Sequence, residues 1–451
     1  MKTSSLAPKL AWLETASTFG VLGVALLVFV PAAPPAEPLW ALGARMTIIA
    51  AVCMAALYFN DLYDFDAPHD VAGLFGRLCR ALGTSALILG AVYLMFPALM
   101  IHGNLTSYAL VALLLTLFAM RGTIYALAKR APFTQRVLIM GQSALALDLA
   151  RHIRTRPDLA CTVLGFLGDG LAGGVLGPRL GGCADVGVVV RRHRADRVIV
   201  AMPDRRGTLP VADLLACRVR GLAIEDGIQA YERFCRRLPV EALTPSALIF
   251  GDGFGVTRTQ LAIKRVLGLV ITLAALVVAA PVIGLIVLLI RLETPGGAFF
   301  IQERVGLGGK PFRLIKFRTM RVVTADNEGY LRDNTSRVTR VGHILRKYRL
   351  DEIPQFINIL RGDMSLVGPR PEIPHIVSAY AAAIPFYDLR HEVRPGLTGW
   401  AQVKAGYTMG IEETKRKLCC DLYYIKHLSI HFDLRILVDT VKFVLGGKRP
   451  G

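Results

Sequence analysis

Lys264-Arg265 is followed by VLGLVITLAALVVAAPVIGLIVLLI over residues 266–290, and Arg291 closes the run. No Asp, Glu, Lys or Arg interrupts it, and as a helix it is long enough to cross a hydrocarbon core of about 30 Å. Two features argue against a plain crossing. Basic residues flank both ends, and such flanks prefer the same side of a membrane. Pro281, just past the middle, removes a backbone hydrogen bond and bends or breaks a helix. The run therefore predicts a re-entrant helix–break–helix over about 266–290 that enters the membrane, breaks at Pro281 and returns.

Toward the N-terminus four more apolar runs lie near residues 14–31, 42–59, 81–101 and 106–127, each of spanning length. Lys2 and Lys9 precede the first, Arg77 and Arg80 fall in the second connection, and Lys129, Arg130 and Arg136 follow the fourth. The other two connections lack Lys and Arg. This alternation puts the N-terminus and everything after residue 128 on the cytoplasmic side. The expectation is a four-helix transmembrane region over 1–130. The N-terminus shows no small-residue cleavage site, so the first run is expected to stay as an anchor. The four runs are read as free of intramembrane acid, which weighs against transport. The acidic patch Asp61, Asp64, Asp66 and Asp70 reads as a solvated loop.

Composition agrees. Of 451 residues 53% are hydrophobic and only 19% charged, yet Lys and Arg outnumber Asp and Glu by 53 to 34, a net charge of +19. That excludes a disordered chain and a simple soluble enzyme, and it favours anionic partners such as lipid headgroups and phosphates. The eight cysteines contain no CxxC pair, so they read as inert thiols of a reducing compartment rather than disulfides or a zinc site.

Residues 131–255 change character. Arg136–Gly141, Val163–Asp169 and Arg197–Met202 read as strands, with a helical pattern from Leu145 to Ile153 between them. Strands alternating with helices predict a parallel, Rossmann-like α/β domain. Its glycine loop is incomplete. A dinucleotide fingerprint needs a second glycine so that backbone can approach a pyrophosphate. Here Ser143 stands in that place, in Gly141-Gln-Ser-Ala-Leu-Ala146.

The last third, 256–451, carries the chemistry. From residue 255 onward there are 29 Lys and Arg against 16 Asp and Glu. Lys316 and Arg318 are two apart and on a strand would face one way, a pair able to neutralise a pyrophosphate. Asp351-Glu352 follows a strongly basic stretch, Thr339 to Arg349, which would keep both acids ionised. Adjacent residues on a helix point about 100° apart, so the two acids do different work: one can attack phosphorus while the other holds Mg²⁺. Gly368-Pro-Arg370-Pro371 and Arg394-Pro-Gly-Leu-Thr-Gly399 are rigid loops, each presenting an arginine suited to phosphate.

These strings, KFRTM, LDEIPQFINILRGDMSLVGPRPE and RPGLTGWAQV, resemble the bacterial sugar transferase family, the polyprenyl-phosphate sugar-1-phosphate transferases also called monotopic phosphoglycosyl transferases. The whole chain is similar to its long members, and Tyr231–Phe254 resembles the exopolysaccharide-associated branch. The resemblance implies an enzyme that moves a sugar-1-phosphate from a nucleoside diphosphate sugar, usually UDP-linked, to undecaprenyl phosphate at the cytoplasmic face of the bacterial inner membrane. It implies Asp351 as nucleophile, through a covalent phosphosugar intermediate, and Glu352 as ligand of a Mg²⁺ cofactor. Lys316, Arg318 and Arg370, with Arg304 and Arg394 behind them, are the expected phosphate-binding residues. Implied partners are the two substrates, inner-membrane lipid and a second copy of the chain in a homodimer, with no nucleic acid. One departure is visible: the family opens its membrane segment with Lys-Arg-x-x-Asp, whereas Gly268 stands where the acid belongs. A membrane-anchored nucleotide-sugar dehydratase and a non-enzymatic assembly scaffold are the alternatives. The first would need an intact glycine fingerprint and a Tyr-x-x-x-Lys pair, and the second would be marked by loss of Asp351 or Glu352.

Overall fold

The computed structural model describes residues 13–21, 24, 39–60, 62, 71–100, 105–128, 134–156, 159, 161–168, 176–251, 253–255, 257–321, 337–405 and 410–446. Half of the first apolar run and the whole acidic patch lie outside them. The chain divides into two compact units, Met1–Ala230 and Tyr231–Gly451.

In the first unit three apolar helices, α1 (Leu39–Phe59), α2 (Val71–Met95) and α3 (Leu105–Ala128), pack around Cys53, Leu57, Leu78, Ala81, Leu89 and Leu117. The third apolar run starts earlier than expected: α2 takes in Arg77 and Arg80 and ends just before Pro97. Of these three, only the Leu74–Met95 part of α2 is long and apolar enough to cross a membrane; the apolar stretches Gly43–Phe59 and Leu110–Thr123 are shorter. The expectation of acid-free helices is corrected. Glu14, in the helical stretch at residues 13–21, is fully buried and accepts from Arg121 Nε at 2.5 Å, while Arg121 Nη1 donates to Leu62 O at 2.6 Å. A buried carboxylate is tolerated here because a cation neutralises it.

The same unit carries a five-stranded parallel sheet, in the order β3 (Arg179–Gly181), β2 (Cys161–Leu167), β1 (Gln135–Met140), β4 (Arg197–Val200), β5 (Ala223–Asp226). Apolar β1 is buried from Val137 to Met140, as a central parallel strand must be. This is the doubly wound arrangement, and the chain reverses direction between β1 and β4. Helix α4 (Ala144–Thr155) starts there, and Ser143 is its N-cap: the hydroxyl accepts from Ala146 N at 3.2 Å and donates to Ala201 O at 2.7 Å. Gly141 has φ +102°, and a Cβ on it would stand 2.7 Å from Ala201 O. The glycine therefore serves strand packing, and the serine fills the helix mouth.

The second unit is organised along α8 (Arg258–Glu293), 36 residues opened by a Thr257/Gln260 capping box; the short α7 (Pro245–Ile249) precedes it. The expected interruption at Pro281 is corrected: the helix continues through the proline. Both ends of α8 are fastened to this one unit. Near its start Lys264 Nζ donates to Val367 O at 2.9 Å and pairs with Asp433 at 2.7 Å. At its end Ile286 and Ile290 pack with Phe317 and Leu345, and Glu293 accepts from the Arg340 and Val341 amides. Its middle is bare, with Val277 and Val278 70% and 77% exposed.

Candidate active site

Strands β6 (Phe299–Val305) and β7 (Pro311–Phe317) form an antiparallel hairpin with Val305 opposite Pro311 and Phe299 opposite Phe317. Helix α9 (Arg340–Lys347), capped by Thr339, leads into Arg349, whose φ of +56° turns the chain into a single helical turn, Leu350–Glu352. The dyad rides on that turn, just before α10 (Gln355–Arg361). Fully buried Asn358 on α10 fixes its distance from the hairpin. Its Oδ1 accepts from Ile315 N at 3.0 Å and its Nδ2 donates to Arg313 O at 2.7 Å. Lys316 and Glu352 are thereby brought together from positions far apart in the chain.

The two acids sit in different environments. Glu352 is buried, and its Oε1 accepts from Arg370 Nη2 at 2.7 Å with Lys316 Nζ at 3.8 Å. Burial works against its charge, but Arg370, Lys316 and Arg349 prevail and hold its pKa at about 2. Asp351 has no hydrogen bond or ion pair among the described residues. Burial, then the neighbouring Glu352 charge, push its pKa above the usual value, partly offset by Lys316, Arg346 and Arg370. One carboxylate is thus pinned and ionised, and the other stands unpaired among the described residues in a cationic setting.

Arg370 is itself positioned. Strands β8 (Ser365–Val367) and β9 (Gly396–Thr398) pair in parallel, and their two rigid loops pack backbone to backbone. A Cβ on Gly396 would lie 2.1 Å from Gly368 N, so only glycine fits. Buried Arg390 donates to the Arg370 carbonyl at 2.9 Å, to Asp421 Oδ2 at 2.9 Å and to Tyr387 Oη at 2.8 Å. Arg304 belongs to the same periphery: it donates to Pro371 O at 3.2 Å, and its charge acts on Lys316.

Two expected phosphate ligands are not in this cluster. β7 ends at Phe317, so strand alternation no longer governs Arg318, which is buried and donates to Thr294 O and Oγ1 at the end of α8. Arg394 donates to Gly362 O beyond the C-terminus of α10. Sequence reasoning gave no role to Asn358, though it lies inside the quoted string LDEIPQFINIL, nor to Arg390 and Asp421, which lie in none of the quoted strings. It also missed the partner for Lys264: the acid absent at Gly268 comes from Asp433, on α12 (Ile430–Gly446 is the last described helix), with Tyr424 Oη as a further neighbour.

Among the described residues no cluster of three His, Cys, Asp or Glu could hold a metal unaided. The dyad still fits Mg²⁺, which takes one or two carboxylates and completes its shell with substrate phosphates and water. Both cations contact Oε1 of Glu352, and among the described residues no partner occupies Oε2.

A family profile described as bacterial sugar transferase matches residues 259–447, and one described as CoA-binding domain matches residues 58–209. UDP-glucose:undecaprenyl-phosphate glucose-1-phosphate transferase of Escherichia coli (strain K12) is 33% identical over 311 residues, 68% of this chain and 66% of that protein. UDP-N-acetylgalactosamine-undecaprenyl-phosphate N-acetylgalactosaminephosphotransferase of Aeromonas hydrophila is 44% identical over 187 residues, 41% of this chain and 44% of that protein. Exopolysaccharide production protein PSS of Rhizobium leguminosarum bv. phaseoli is 39% identical over 189 residues, 40% of this chain and 94% of that protein. The match thus covers less than two thirds of the first two relatives and nearly all of the third.

Proposed function

Starting from a chain that belongs to the bacterial sugar transferase family, we propose that it moves a sugar-1-phosphate from a UDP-sugar to undecaprenyl phosphate. The observation that carries this reading is the asymmetry of the dyad: Asp351 unpartnered, Glu352 locked by Lys316 and Arg370. In the first step an Asp351 oxygen attacks the sugar-bearing phosphorus, and the bond from that phosphorus to the bridging diphosphate oxygen breaks. UMP leaves with the electron pair, and the sugar phosphate is held as an acyl phosphate on Asp351. In the second step a phosphate oxygen of the lipid attacks the same phosphorus, the Asp351–phosphorus bond breaks, and the carboxylate is restored. Lys316 and Arg370 meet the diphosphate charge, and Arg304 keeps the Arg370 loop in place. Mg²⁺, held by Glu352, would neutralise the departing nucleotide phosphate.

The bare middle of α8 and the fastening of both its ends to one unit favour a re-entrant path, with Pro281 as a bend rather than a break. That path places the dyad at the headgroup level of the inner membrane, on the cytoplasmic side where UDP-sugars are made. The Rhizobium relative's name supports a role in exopolysaccharide assembly. The test is transfer by purified protein in nanodiscs with undecaprenyl phosphate, Mg²⁺ and a panel of UDP-sugars. UMP release that depends on the lipid, selects one sugar and vanishes in Asp351→Asn is expected. Release unaffected by Asp351→Asn would sink the mechanism.

A further inference from the structure

A cavity of about 930 Å³ lies beside the first half of α8, apart from the dyad. Its walls are apolar: Leu248 and Ile249 of α7, Leu267 and Ile271 of α8, and Leu434 and Leu437 of α12. Its polar end is cationic. Arg265 donates to Ile359 O at 2.5 Å and to Leu360 O at 3.0 Å, and Arg394 donates to Gly362 O at 3.1 Å, so both guanidiniums converge on the C-terminus of α10. They repel each other. Glu392 lines the same cavity, yet no carboxylate pairs with either arginine among the described residues. Lys264, the third cation there, is already matched by Asp433. Two guanidiniums without a carboxylate partner among the described residues thus stand at an apolar trough, on a helix that carries a bare apolar face.

We propose that this cavity binds a membrane phospholipid, with its phosphate on Arg265 and Arg394 and an acyl chain between α7, α8 and α12. The chemistry asked of the ligand is an anionic phosphate joined to a long apolar chain. Each guanidinium keeps donors beyond those spent on the helix carbonyls, and a lipid phosphate accepts from both. The α10 carbonyls that orient the two arginines leave their positive charge uncancelled. A phospholipid is favoured over the lipid substrate because Asp351, Glu352, Lys316 and Arg370 do not line the cavity. The charges that act most on Asp351 are Glu352, Lys316, Arg346 and Arg370, and neither arginine is among them. The bound lipid would anchor the entry of α8 at the headgroup level, a role separate from transfer.

The test is native mass spectrometry and lipid extraction on the full chain, purified from nanodiscs of phosphatidylglycerol and phosphatidylethanolamine doped with undecaprenyl phosphate. Retention of one phospholipid per chain is expected, unchanged in Asp351→Asn. Retention should fall at least tenfold in Arg265→Gln/Arg394→Gln. Because those arginines also cap α10, Gly268→Leu is the second variant. A Cβ at Gly268 meets nothing within 4 Å, so the new side chain enters the cavity without disturbing the helix ends. It too should displace the phospholipid, with the circular dichroism of wild type. No phospholipid on the wild-type chain, or equal retention in both variants, would overturn the proposal. Retention of undecaprenyl phosphate in its place would overturn it in favour of a substrate site. None of these readouts uses turnover, so a failed transfer assay leaves them intact.

Discussion

At the scale of single residues the dyad shows how neighbours divide labour between identical functional groups. In the proposed mechanism Asp351 must be ionised to attack, and burial with the Glu352 charge raises its pKa, so the acidic limb of transfer is expected above the ordinary carboxylate range. Arg346 opposes that shift while donating to Thr319. Arg346→Gln should therefore move the limb to higher pH with only a modest loss of maximal rate, measured as UMP release from pH 4 to 8. Glu352 is shifted the other way. Its ionised form stabilises the fold above its unfolded pKa of about 4.3, and this contribution fades as pH falls toward about 2. The melting-temperature advantage of wild type over Glu352→Gln should shrink on acidification through that window.

At the scale of elements, three fastenings set the geometry. Asn358 ties α10 to β7, and Asn358→Ala would strand the Ile315 amide and the Arg313 carbonyl, at about 1–3 kcal/mol each. Chemical denaturation of the variant should show a loss of that order, and transfer should fall further because Lys316 is no longer held against Glu352. In the first unit, Glu14→Gln would leave Arg121 charged and buried without its carboxylate, a loss of about 3–5 kcal/mol. Thermal unfolding in detergent checks it, and a wild-type midpoint would count against the pair. Ser143 closes the mouth of α4, so Ser143→Ala should cost the sheet about 1 kcal/mol and leave transfer unchanged.

At the scale of the whole chain the question is how α8 meets the membrane. Thirty-six helical residues exceed what a perpendicular crossing needs, and the helix begins and ends on one unit. Single cysteines placed at Arg258 and Gly297, in a background without the native thiols, should react with an impermeant maleimide from the same side of sealed vesicles. Reaction from opposite sides would establish a plain span. The central sheet illustrates a separate point. It has the doubly wound order of a nucleotide-binding domain and matches a profile described as CoA-binding, yet the mouth of α4 is satisfied by a side chain.

By itself the sequence determined the membrane-seeking runs, the parallel α/β domain and the strings shared with the family, because hydrophobic runs, strand alternation and contiguous motifs are local signals. Lys316 and Arg370, two of the expected phosphate ligands, stand together at Glu352, since a strand residue and a proline-locked loop have little freedom. Arg318 stands apart from Lys316 because a strand's parity ends where the strand ends, and nothing local marks that point. Arg394 lies at the end of α10 because a helix C-terminus competes for arginine as well as phosphate does. Only the tertiary structure decided the acid that meets Lys264, the pinning of Glu352 but not Asp351, and the bracing of Arg370 by Arg390 and Asp421. Each of these joins residues distant in the chain, and such pairings are set by packing that no local pattern encodes.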